Sequence, residues 1–145
     1  MRIPASLLLI PIAAIALTGC SAVTDLVRNE SEWHFDDAAA LREEWSKADT
    51  VAWLPDDAVG IDVRETSDAD PAVIRFASAT GLDAAECAET ERQSLPVFVD
   101  DWTPDDEEIV KLETVHACGD WAVVEIDGAW FGWTPSSPGE QESAP

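Results

Sequence analysis

Two histidines, three cysteines and thirty acidic side chains are the residues of this 145-residue chain best suited to chemistry. His34 and His116 are the two imidazoles available for acid–base work near neutral pH. No Gly-x-Ser-x-Gly elbow, His-Glu-x-x-His helix, phosphate-cradling glycine loop or EF-hand spacing accompanies them. With so many carboxylates, no single pair stands out as a general acid and base. His116 lies in the apolar-rich stretch 109–118 and is expected as a packed or edge histidine. His34, between Trp33 and Phe35, is expected to make an aromatic contact with the domain. Asp56-Asp57 and Asp105-Asp106-Glu107-Glu108 could attract divalent cations. Calcium takes about six to eight oxygens at defined offsets, which these runs do not supply, so a solvated acidic surface is expected, with no metal and no cofactor.

Lys and Arg number 8 against 30 Asp and Glu, a formal charge of −22. That balance argues against nucleic acid, heparin-like polymers and anionic lipid surfaces as electrostatic partners, because each requires a basic face. It favours encounter with basic proteins or peptides. Length and composition fit one compact domain with an appendage.

The appendage is N-terminal. Met1-Arg2 precedes an uncharged apolar stretch from Ile3 to Leu17, followed by Thr18-Gly19-Cys20. A positive start, a short apolar core and small residues before a cut site describe a secretory signal. A spanning helix needs about 20 apolar residues, and Pro4 and Pro11 would disturb one. Leu17-Thr18-Gly19-Cys20 resembles the lipobox of bacterial lipoprotein signal peptides, a likeness confined to residues 1–21. The resemblance implies a diacylglyceryl group on the Cys20 thiol, cleavage between Gly19 and Cys20, and anchoring to the extracytoplasmic side of a bilayer through acyl chains. The alternative is an ordinary secreted protein whose signal ends near a cysteine.

Setting Cys20 aside for lipid leaves Cys87 and Cys118, an even pair in an exported chain, where disulfides persist. A redox site would show a close Cys-x-x-Cys, and zinc would need a second compact ligand pair near His116 and Cys118. A structural disulfide is therefore expected.

These residues must be held by a small α+β domain: one N-terminal helix packed on a mostly antiparallel sheet. Residues 1–19 are assigned to the signal, 20–35 to a lipidated tether, 36–135 to the domain and 136–145 to a frayed tail. From Asp36, a possible cap, the stripe Ala38, Leu41, Trp45 and Ala48 predicts a helix, with Glu43 and Lys47 paired on its outer side. Val59, Ile61 and Val63, then Ala72, Ile74 and Phe76, alternate around the turn cluster at 67–71 and predict a hairpin over 59–78. Leu95 to Val99 is expected as a third short strand, and residues 80–91 are ambiguous.

Trp53-Leu54-Pro55-Asp56-Asp57 recurs as Trp102-Thr103-Pro104-Asp105-Asp106, with an echo at Trp133-Thr134-Pro135. Matching offsets, with Ile109, Val110, Thr114 and Val115, favour a strand after the second turn as after the first, preceded by one helical turn, although Pro104 and the acids beside it could open a helix instead. At the C-terminus, Asp127-Gly128 predicts a two-residue turn joining strands in a hairpin over 121–133. That register puts Ala122, Val124, Ile126, Ala129, Phe131 and Trp133 on one face, read as the core side. Trp121 and Trp130 fall on the other face. There they could form an exposed patch that stacks on a sugar, a choline-like cation or a partner, although packing beneath the N-terminal helix explains them equally well.

The function expected from these residues is a non-enzymatic envelope binding or accessory module with an acidic surface. An inhibitor of a basic envelope enzyme, such as a lysozyme-like hydrolase, is a narrower version. A small hydrolase using carboxylates and His116 is the rival.

Overall fold

A computed structural model of the chain describes residues 30–66 and 71–145. The expected Cys20 anchor and the signal peptide lie outside the described residues, as does most of the 67–71 turn. The architecture is α+β and mostly β, with seven strands in one antiparallel sheet.

In chain order the strands are β1 (Glu30–Asp37), β2 (Val59–Thr66), β3 (Ala72–Ala77), β4 (Ala88–Glu91), β5 (Thr114–Cys118), β6 (Trp121–Ile126) and β7 (Ala129–Thr134). Helix α1 (Ala38–Glu44) and a 3-10 turn (Ala48–Val51) lie between β1 and β2, α2 (Asp106–Lys111) lies between β4 and β5, and α3 (Pro138–Gln141) follows β7. The spatial order β1-β2-β3-β7-β6-β5-β4 is two meanders joined where β3 pairs with β7.

The two expected hairpins form. β2 pairs with β3 through Val63–Ile74 and Glu65–Ala72. In the C-terminal hairpin Ile126 faces Ala129, Val124 faces Phe131 and Ala122 faces Trp133, the register that a two-residue Asp-Gly turn dictates. Asp127 and Gly128 both take the left-handed backbone that this turn requires, with φ of 52° and 76°.

The expectation of a single core side on that hairpin is corrected, because both of its faces are buried. Ala122, Val124, Phe131 and Trp133 pack with Val73, Phe98, Ile109 and Val115 in one cluster. Trp121 and Val123, on the other side, pack with Phe35, Leu41, Trp45, Trp53, Ile61 and Phe76 in a second. The sheet centre is therefore covered twice: by α1 and the Trp53 turn on one face, and by residues 92–112 on the other. Alternating strands cannot reveal this, because period two assigns side chains to faces without saying which faces are covered.

Several boundaries move. Residues 30–35, expected in the tether, belong to β1 and pair with β2 from Glu30–Thr66 to Asp37–Val59. Helix α1 is capped by Asp37, whose carboxylate accepts from Ala40 N–H, and not by Asp36. It ends at Glu44, so Lys47 leaves Glu43 and pairs with Glu65 at 2.7 Å. Leu95–Val99 joins no ladder, and β4 forms instead at 88–91, in the ambiguous stretch.

After the second Trp-x-Pro turn the helical turn expected first is α2, in which Ile109 and Leu112 repeat at helical spacing and turn toward the core. The strand begins only at Thr114, so Ile109 and Val110 move from strand to helix. The last ten residues are not frayed. Ser137 and Glu140 form a capping box on α3, and Glu140 is fully buried.

Candidate functional site

Cys87 and Cys118 are joined in a disulfide, on the sheet face covered by α1. Of the two tryptophans expected as an exposed patch, Trp121 is 2% exposed and packs edge-on against Trp53 at 5.9 Å between ring centroids. Trp130 is half-buried, stacks on Phe76 at 6.5 Å and lies beneath Gly81. A Cβ at Gly81 would come within 3.3 Å of the Trp130 ring. Together they form packing, not a binding face, and the expected patch is corrected on that ground. Trp45 shares the buried cluster, so the packing explanation beneath the helix is the one that holds.

The histidines stay apart. His116, half-buried on β5, meets Trp130 edge to face at 5.8 Å. His34 is exposed on β1, with Nδ1 2.8 Å from Asp62. The hydrogen bond and charge of Asp62 raise the His34 pKa above its ordinary 6.5. Among the described residues no group of three His, Cys, Asp or Glu side chains could hold a metal ion.

Four carboxylates have structural work. Glu65, 5% exposed, accepts from the indole N–H groups of Trp33 and Trp45 at 3.2 and 3.0 Å and pairs with Lys47. Glu140 accepts from Gln93 N–H at 2.7 Å, Ser94 N–H at 3.1 Å, the Ser94 hydroxyl at 2.6 Å and Ser137 N–H at 2.6 Å. Burial pushes the Glu140 carboxyl up, but these donors outweigh it and hold it below the usual range. Asp57 gathers the Ser78 and Thr80 hydroxyls and the N–H groups of Ala79 and Thr80. The Ser78 and Thr80 hydroxyls lead in pulling its pKa down to about 2, far too low for a base at neutral pH. Asp100 pairs with Arg64, which also holds Glu30 at 2.6 Å.

Among the described residues, two open clefts are built on the repeated turns. The first, about 390 Å³, is lined by Trp53, Leu54, Pro55 and Asp56 together with Arg42, Asp83 and Glu86. Its cation is already engaged: Arg42 pairs with Asp56 at 2.8 Å and donates to the Leu54 carbonyl at 2.9 Å, and Trp53 is buried. The second, about 360 Å³, runs between the Trp102 turn, the β6–β7 turn and Arg75 of β3. Its walls carry Trp102, half-buried, and the carboxylates of Asp101, Asp105, Glu108 and Asp127. Arg75 is exposed and has no ion-pair partner among the described residues.

No family model, curated protein or solved structure matches the chain.

The second cleft therefore stands on its own chemistry. An indole face and several carboxylates suit an ammonium or guanidinium group, with cation–π attraction and charge acting together. Sequence reasoning passes over Trp102 because the aromatic residues of the C-terminal hairpin draw the weight first. The usable clue is the repeated turn itself, whose second copy is followed by four acids, Asp105-Asp106-Glu107-Glu108, where the first has two.

Proposed function

We propose that the chain is an exported lipoprotein, anchored through acyl chains on Cys20, whose domain is a non-enzymatic binding module for a basic partner. The lipobox residues and the disulfide support export and anchoring, since such bonds persist in oxidising compartments. The observation that carries the binding reading is the Trp102 cleft, where four carboxylates surround a half-buried indole on a chain of charge −22. The separation of His116 from the carboxylate-lined clefts speaks against the hydrolase reading.

Two measurements test it. Metabolic labelling with a radiolabelled fatty acid should mark the native chain and leave Cys20→Ser unmarked; label retained by Cys20→Ser removes the anchor. For the cleft, an oligolysine peptide and a lysozyme-type cationic hydrolase serve as probes. Binding should weaken as salt rises, and Trp102→Ala combined with Glu108→Gln should abolish it. Binding that ignores both salt and the double substitution rules the cleft out. Inhibition of the cationic hydrolase by the native chain would narrow the role to that of an inhibitor.

A further inference from the structure

Residues 92–99 cross the sheet face opposite α1, with a bend at Val97, without joining a strand ladder. Phe98 points inward and is 7% exposed, while Leu95, Val97 and Val99 alternate outward at 47%, 66% and 60% exposure. Val110 of α2, 53% exposed, lies beside them, since the Arg92 guanidinium reaches the carbonyls of both Ser94 and Val110. The row is held at both ends. Glu140 and Arg92 fix residues 93 and 94, and the Arg64 guanidinium pairs with Asp100 and sits 5.2 Å over the Phe98 ring. A preorganised row of exposed aliphatic side chains is unusual on so acidic a chain, and such patches mark interaction surfaces.

Its position names the occupant. Arg64 holds Glu30, the first described residue, together with Asp100, the neighbour of Val99. Cys20 lies ten residues before Glu30, a stretch that reaches no more than about 36 Å. The chain thus enters the domain beside the aliphatic row. Arg92 is turned onto the carbonyls of Ser94, Val110 and Leu112, while Lys111, exposed and next to Val110 in the chain, suits a lipid phosphate. We infer that Leu95, Val97, Val99 and Val110 form the face on which the lipidated domain rests against the bilayer, dipping into its interfacial layer. The inference rests on the lipoprotein reading. It leaves the Trp102 cleft beside the row, close to the membrane plane.

The test uses the full lipidated chain in phosphatidylcholine vesicles, with hydrogen exchange followed at residues 95–99. Cys20→Ser in solution is the reference. Uptake at 95–99 should fall on vesicles, and Val97→Asp with Val99→Asp should restore it while leaving exchange in β6 and β7 unchanged. Equal uptake with and without vesicles overturns the inference. So does protection that the double substitution leaves intact, or that appears only when envelope proteins are added, which would assign the row to a protein partner. A native chain that carries no lipid on Cys20 overturns this inference and the lipoprotein reading together. Lipid on Cys20 with unprotected 95–99 overturns this one alone.

Discussion

The two faces of the sheet are closed by different means. Beneath α1 and the Trp53 turn, Phe35, Leu41, Trp45, Ile61, Phe76 and Trp121 make a continuous apolar cluster that includes the Cys87–Cys118 bond. The opposite face carries Val73, Val124, Phe131 and Trp133, and its cover enters the core through Phe98 and Ile109. The rest of that cover is fastened by charge: Arg64 to Asp100, Arg92 to backbone carbonyls, and Glu140 to Gln93 and Ser94. The first side is held mainly by area and a covalent link, with the Glu65–Lys47 pair beside Trp45, and the other depends more on ionised groups with specific partners. The difference shows that the acid excess is not wholly a solvated coat, since some of its members are structural ties.

The sharpest way to break the comparison is to hollow the apolar side. Trp121→Ala should cost roughly 3–5 kcal/mol, the usual range for deleting a buried aromatic side chain. Denaturant unfolding measures it, and a loss below about 1 kcal/mol would mean that this face does not dominate stability. Next comes the staple. Cys87→Ser with Cys118→Ser opens a link between positions 31 apart and should cost about 3–4 kcal/mol on a chain-entropy account. Hydrogen exchange should rise at the β4–β5 edge before it rises in β2 and β3.

On the charged side the tie to remove is Glu140. Glu140→Gln keeps the shape but removes the charge from a group that accepts four hydrogen bonds, and one of its oxygens becomes a donor facing donors. The expected loss is about 1–3 kcal/mol, the scale of a buried polar group left poorly paired. Exchange at Gln93 and Ser94 should rise while Ile61 and Val63 stay protected. Equal loosening of both faces would show that the two covers are not independent. Acid should act in the same direction. Because the folded Glu140 pKa lies below its ordinary 4.5, its contribution is whole above that value and disappears as pH falls through the lowered one.

How much of the fold is legible in the sequence depends on the range of the physics. The C-terminal hairpin is legible because Asp127-Gly128 fixes its register locally. The Cys87–Cys118 bond is legible because a pair without a close Cys-x-x-Cys or a second compact ligand pair leaves few alternatives. The helix over Ala38 and Leu41 is legible from its period, although its cap shifts by one residue and it ends at Glu44, short of Trp45 and Ala48. Hidden are the features that depend on distant partners. Glu140 looks like one more acid in a polar tail until Gln93 and Ser94, more than forty positions away, supply its donors. Residues 30–35 look like a tether until β2 gives them a ladder. The repeated Trp-x-Pro turn misleads because it sets only the bend. The residues beyond each copy choose the element: period two at Val59, Ile61 and Val63, helical spacing at Ile109 and Leu112.

The smallest expected effect has the opposite pH sign and lies at the sheet edge. His34 and Asp62 pair across β1 and β2, on the face with the charged fastenings, and the pairing raises the His34 pKa. A group whose folded pKa is raised stabilises the fold fully below its ordinary 6.5 and ceases to do so as pH climbs through the raised value. His34→Ala should therefore lower the unfolding midpoint slightly at pH 5.5 and leave it unchanged at pH 9. Since the imidazole is exposed, that difference should fade in high salt. Glu140 and Asp57, with lowered values, contribute in full at both of those pH values, so they cannot imitate this slope. A midpoint shift that is equal at pH 5.5 and 9 would mean that His34 acts through strand packing and not through its charge. The edge would then behave like the apolar face.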